Sequence, residues 1–109
     1  MGILLPFFES ADQPEKVSRN KLPLVSACLI VKNEARHLAR CLDSLQGVAD
    51  EIILVDTGSK DDTVAIARRY TDKVYAYHWH DDFAAARNYG LQFATGDWIL
   101  ILDADETLP

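Results

Sequence analysis

Three acidic residues, Asp103, Asp105 and Glu106, stand directly behind an apolar run, 98–102 (WILIL). The run is too short to span a bilayer and suits a strand buried on both faces. Acids just past a strand's carboxyl end lie where open α/β sheets hold their ligands. If the chain stays extended, period-2 geometry points Asp103 and Asp105 to one side. Neighbouring carboxylates repel unless a cation or a hydrogen-bonding ligand joins them. Such hard oxygen ligands suit Mg²⁺ or Mn²⁺, which share a site with substrate phosphates. Taken alone, the Asp-x-Asp reads as a solvated acidic turn.

The elements that would position these acids change that reading. A nearly unbroken apolar run over 24–31 predicts a first strand, followed by Lys32-Asn33-Glu34 with Asn33 as N-cap. Leu38, Cys41, Leu42 and Leu45 then fall at helical spacing, with Gly47 at the C′ place. Residues 51–55 (EIILV) predict a second buried strand ending at Asp56. Thr57-Gly58 turns the chain, and Ser59 with Asp62 approximates a capping box for a helix to about residue 70. Residues 73–77 predict a more polar edge strand. A third helix carries Phe83, Ala86, Gly90, Leu91 and Ala94 on one face. The alternation implies a mainly parallel sheet flanked by helices. Its strand tips gather Asn33, Glu34, Asp56, Asp103 and Asp105 along one rim.

Size and composition set the bounds. A chain of 109 residues fits one domain, and 49% hydrophobic residues give no reason to expect disorder in the body. The net charge of −6, without a Lys/Arg block, argues against a nucleic-acid partner held through phosphates. Cys28 and Cys41 read as buried thiols rather than a disulfide. The start has no basic region and is interrupted by Pro6, a poor signal peptide. No segment is transmembrane in type, so the expected setting is cytoplasmic. Residues 1–22 read as a mobile arm and 23–109 as the folded unit. The patch Ile3, Leu4, Leu5, Phe7 and Phe8 has no assigned docking place.

The pieces LIVKNEARHLARCLDSL, ADEIILVDTGSKDDTVAIARRY and DDFAAARNYGLQFATGDWILILDADE together resemble family 2 glycosyltransferases of the GT-A fold. The wording DDFAAARN is similar to a branch often joined to tetratricopeptide repeats. The resemblance implies sheet order 3-2-1-4, a Rossmann-like half, and a nucleotide-sugar donor such as a UDP-sugar. It places Asp56 on the nucleobase, Asp103 and Asp105 on the ribose and the metal-bound diphosphate, and Glu106 in support. Lys32, Asn33 and Glu34 match the nucleotide-proximal loop, and Arg87 with Asn88 match a basic-polar step near the phosphates. The competing accounts are a turn-former at Asp56, a helix-start acid at Glu34, and a surface pairing of Arg87 with Asp81 or Asp82.

The resemblance implies an inverting transfer to an unknown acceptor. The general base and most of the acceptor site are then expected beyond Pro109, in a missing C-terminal half or a partner chain. The isolated chain is expected to be inactive, with strand 98–102 as an unpaired apolar edge. The alternative is a non-catalytic module that binds only nucleotide or a partner. A phospho-accepting receiver domain using Asp56 is weaker, since it wants an acidic pair where Lys32-Asn33-Glu34 stands. Asp56-Thr57-Gly58 also imitates an aspartic-protease signature, but helix formers follow it where that all-β fold needs strands. His78 and His80 flank Trp79 without the further ligands a zinc site requires.

Overall fold

The computed structural model describes residues 24–79 and 81–107, and the backbone of 3–6. Its elements run β1 (Ile3–Pro6), β2 (Val25–Val31), α1 (Ala35–Ser44), β3 (Glu51–Asp56), α2 (Thr63–Ala67), β4 (Val74–Ala76), α3 (Phe83–Leu91) and β5 (Trp98–Ile101). The sheet order is β1-β5-β2-β3-β4. β5, β2, β3 and β4 are mutually parallel, in the order the sequence implied, and β1 is added antiparallel to β5.

The strands carry apolar residues on both faces because both are covered. Leu29, Leu54 and Leu100 point to the side of α1 and α2, where they meet Leu38, Cys41, Leu42, Leu45 and Ala67. Their chain neighbours Cys28, Ile53 and Ile99 point the other way, to Ala94, Leu91 and Phe93 at the end of α3. Period-2 alternation thus feeds two cores from the same three strands. The four helix positions read from spacing, Leu38, Cys41, Leu42 and Leu45, have no solvent exposure. Each buried leucine contributes about 1.5–3 kcal/mol. On the other face α3 lies close to β3: a Cβ on Gly90 would stand 2.8 Å from Val55 Cγ2.

Three expectations change. The edge of β5 is not bare: Ile3, Leu4, Leu5 and Pro6 pair with Ile101, Leu100, Ile99 and Trp98. An apolar stretch supplies the ladder bonds that an edge strand lacks. The rest of the arm expected over 1–22, including Phe7 and Phe8, lies outside the described residues, as does His80. Gly47 has the left-handed backbone expected of it (φ 83°), but sits one place beyond C′ because Leu45 is the C-cap. Phe83, the first residue of α3, is 45% exposed instead of buried.

Candidate functional site

Because β2, β3 and β5 are parallel, their carboxyl ends open onto one edge. A pocket of ≈ 460 Å³ lies there, lined by Lys32, Glu34, Thr57, Trp79, Phe83, Asp103 and Asp105 over a floor of Ile30, Val31 and Ala104. Lys32 and Glu34 come from the β2 tip, Thr57 from the β3 tip, and the two aspartates from the segment after β5.

That segment is a turn, not the extended chain expected. The Glu106 N–H donates to the Asp103 carbonyl at 3.0 Å, and the Asp103 N–H donates to Glu106 Oε1 at 2.9 Å. Leu102 and Ala104 are buried beneath it while Asp103 and Asp105 are exposed. The physical reason is local: the Glu106 carboxylate satisfies the first amide past the ladder, which closes the turn. Cys41 of α1 lies under the same turn and its Sγ donates to the Asp103 carbonyl at 3.6 Å. Burial, then Asp105, Asp103 and Glu34 in that order, push the Cys41 thiol up to about 11. All three carboxylates line the pocket.

The first two strand tips are tied together. Asp56 is 7% exposed. Its Oδ2 accepts from the Gly58 and Ser59 N–H groups at 3.1 and 3.0 Å, and its Oδ1 accepts from the Ser59 hydroxyl. Asn33 is not the N-cap of α1. Its backbone is left-handed, φ 54°, and its Oδ1 accepts from the Lys60 N–H at 2.7 Å. Glu34 occupies the N-cap place without a side-chain bond. The orphan amides are met from the neighbouring loop: Glu34 N–H donates to Thr63 Oγ1 at 2.8 Å and Ala35 N–H to Asp61 Oδ2 at 3.2 Å. The capping box expected from Ser59 and Asp62 is likewise absent, because Ser59 is committed to Asp56 and Asp62 makes no side-chain cap.

Arg87 does not pair with Asp81 or Asp82. Asp82 caps α3 by accepting from the Ala85 N–H at 3.0 Å, and Asp81 accepts from Trp79 Nε1 at 2.9 Å. The guanidinium instead lies 5.0 Å from the Phe83 ring centroid. Its Nε is buried without a hydrogen-bond partner, beside a narrow crevice of ≈ 10 Å³ that Asp103 also lines. Asn88 is exposed on α3 and does not line the pocket.

Of the residues singled out from sequence, Lys32, Glu34, Asp103 and Asp105 line the pocket, and Arg87 shares a narrow adjoining crevice with Asp103. Asn33 and Asp56 stand in the adjoining loops. Trp79, Phe83 and Thr57 were not anticipated there. The ring centroids of Trp79 and Phe83 are 6.4 Å apart, edge to face, and nothing in their separation by four residues distinguishes a wall from a core. The exposed carboxylates fit a divalent cation that shares its coordination with a ligand's phosphates. Among the described residues no group of three or more His, Cys, Asp or Glu is placed to hold a metal ion, so these residues would supply at most two ligands. No helix among them is long and apolar enough to cross a membrane.

Comparison with known proteins agrees with this architecture. The chain is 55% identical over 84 residues to a TPR repeat-containing protein of Synechococcus elongatus, covering 77% of this chain and 21% of that protein. It is 42% identical to an uncharacterized glycosyltransferase of Rickettsia felis, covering 77% and 29%. Glycosyltransferase SunS of Bacillus phage SPbeta is 37% identical, covering 80% and 21%. The chain thus spans well under a third of the length of these relatives. Among solved structures, glucosyl-3-phosphoglycerate synthase of Mycobacterium tuberculosis superposes with a TM-score of 0.67 at 24% identity, over 80% of this chain and 36% of that one. TarS of S. aureus gives 0.62 at 23%, over 77% and 28%. Both show the same fold, a parallel Rossmann-like sheet with flanking helices. A family model described as glycosyl transferase family 2 matches residues 26–109, and the chain belongs to that family.

Proposed function

We propose that the chain is the donor-binding portion of a transferase that moves a sugar from a nucleotide diphosphate sugar, of the UDP class, to an acceptor. The observation that carries this reading is the carboxyl-edge pocket, where Glu34, Asp103 and Asp105 converge with the unpartnered Arg87 Nε at their back. It is supported by solved relatives of the same fold whose complexes contain UDP with Mn²⁺ or Mg²⁺.

In this reading Asp105 and Asp103 hold a divalent cation, Mg²⁺ or Mn²⁺, by hard oxygen ligation. When bound, that cation neutralises the charge that develops on the leaving diphosphate. Arg87 offers its Nε–H to a phosphate oxygen, a charge-assisted bond that would satisfy the orphaned donor. Lys32 lends a second positive charge at the mouth. Asp56 accepts from a nucleobase N–H, and Trp79 with Phe83 close the pocket with apolar faces against water. Glu106 positions Asp103 by holding the turn. Transfer proceeds with inversion, the acceptor attacking in line with the departing diphosphate. Since the chain spans well under a third of its relatives' length, the general base and the acceptor site belong to the remainder of the protein.

Calorimetric titration with UDP tests this. Binding should be weak, strengthened by Mn²⁺, and the Mn²⁺ effect should vanish in Asp105→Ala. UDP affinity that is indifferent to both the cation and Asp105 would refute the assignment. The chain alone should show no transfer with any UDP-sugar.

A further inference from the structure

Asn33 and Ser59 are bonded in a way that donor contact does not account for. The Asn33 backbone is left-handed, a conformation Asn adopts more readily than most residues, with φ 54°. In that conformation its N–H donates to Ser59 Oγ at 2.8 Å, and its side-chain Oδ1 accepts from the Lys60 N–H at 2.7 Å. Ser59 has a single hydroxyl proton, and it goes to Asp56 Oδ1. The hydroxyl is thus fixed as acceptor from one strand tip and donor to the other. Asp56 itself accepts three hydrogen bonds, all from residues 58 and 59. A carboxylate has about four acceptor directions, so one remains for an incoming N–H.

We infer that Asn33 and Ser59 are positioning residues: the relay from the Asn33 amide through the Ser59 hydroxyl to Asp56 Oδ1 orients that carboxylate for the nucleobase. This rests on the donor reading above and assigns Asn33 a different part in it, since its amide oxygen is already committed to Lys60. Two further hydrogen bonds, donated by the Glu34 and Ala35 amides to Thr63 Oγ1 and Asp61 Oδ2, brace the same pair of segments. The nucleobase end and the diphosphate end of the pocket are thereby held in one frame. Without the Ser59 hydroxyl the two backbone bonds to Asp56 Oδ2 remain and keep the carboxylate in place, while Oδ1 loses its fixed direction, so the loss falls on ligand affinity.

The test is a titration of the full chain with uridine, and with UDP in the presence of Mg²⁺, followed by amide chemical shifts. Ser59→Ala should weaken uridine and UDP by a common factor of about tenfold, the size of one well-placed hydrogen bond, and leave the enhancement by Mg²⁺ unchanged. Ser59→Thr keeps the hydroxyl and Asn33→Asp keeps the acceptor and tolerates the backbone, so both should stay within about twofold of the parent. Asn33→Gly keeps the left-handed turn and the N–H but loses the Lys60 strut. It should weaken uridine less than Ser59→Ala does, and if Ser59→Ala fails to fold, a uridine affinity in Asn33→Gly equal to the parent's overturns the positioning role. Uridine affinity unchanged in Ser59→Ala, with only the melting temperature lowered, overturns the positioning role. Failure of the parent chain to bind uridine or UDP at all overturns the donor reading itself.

Discussion

The two edges of the sheet use acidic residues in opposite ways. At the amino edge Glu51 accepts from the Ser26 hydroxyl at 2.6 Å, from the Thr95 N–H and hydroxyl at 2.9 Å each, and from Lys73 Nζ. The Ser26 hydroxyl accepts in turn from the Gly96 N–H at 2.8 Å. One carboxylate therefore binds β2, β3, the approach to β4 and the turn before β5. At the carboxyl edge Asp103 and Asp105 are exposed and form no ion pair among the described residues, while Arg87 keeps a buried donor unmet. The first arrangement uses all its bonding capacity on the fold. The second leaves it uncommitted, as the proposed donor site requires, and functional sites commonly lower stability in exchange for function.

The comparison predicts a graded set of outcomes. Glu51→Ala should cost the most, about 3 kcal/mol in urea unfolding, because it strands Ser26, Lys73 and Thr95 together. Gly96→Ala comes next. A Cβ there would stand 2.5 Å from Ser26 Oγ, 2.8 Å from its nitrogen and 2.9 Å from the Leu24 carbonyl. Two of these are backbone atoms that cannot yield cheaply, so a loss of about 2 kcal/mol is expected.

Acid should act on the same edge. Burial alone would raise the Glu51 pKa, but bonds from Lys73, Ser26 and Thr95 outweigh it and lower it from 4.5 to about 2. A depressed carboxyl pKa stabilises the folded state above its unfolded value. That contribution, about 2 kcal/mol after allowance for partial solvent access, is lost as pH falls from 4.5 through about 2. The decline should be absent in Glu51→Gln. Asp105→Ala should have the smallest effect on unfolding, within about 0.5 kcal/mol, while removing cation-dependent UDP binding. A loss of stability in Asp105→Ala as large as in Glu51→Ala would erase the distinction between the edges.

How legible each part was follows from the range of the interactions. The strands, the inward face of α1 and the shared rim of strand tips came from local periodicity, which registers burial directly. The caps did not. Asn33 and Ser59 are sound N-cap residues by type, yet both bond across to a neighbouring loop, and a residue's nearest competitor for hydrogen bonds is invisible when it lies 26 positions away. Phe83 looked like core because helical spacing does not record which turn of a helix is left uncovered, and Trp79 reads only as part of a polar loop. Glu51 gave no sign of its role, since its four donors come from three distant segments.

The amino-acid sequence by itself determined the alternation of elements, the strand order through family resemblance, and which acids would face a common edge. Each depends on patterns that repeat within one element or on short motifs read in order. Only the tertiary structure decided that the Asp103–Glu106 segment closes as a turn, that Arg87 keeps an unmet donor beside it, and that β1 covers the edge of β5. These depend on which backbone groups are left unsatisfied once the sheet has formed, a property of the assembled chain.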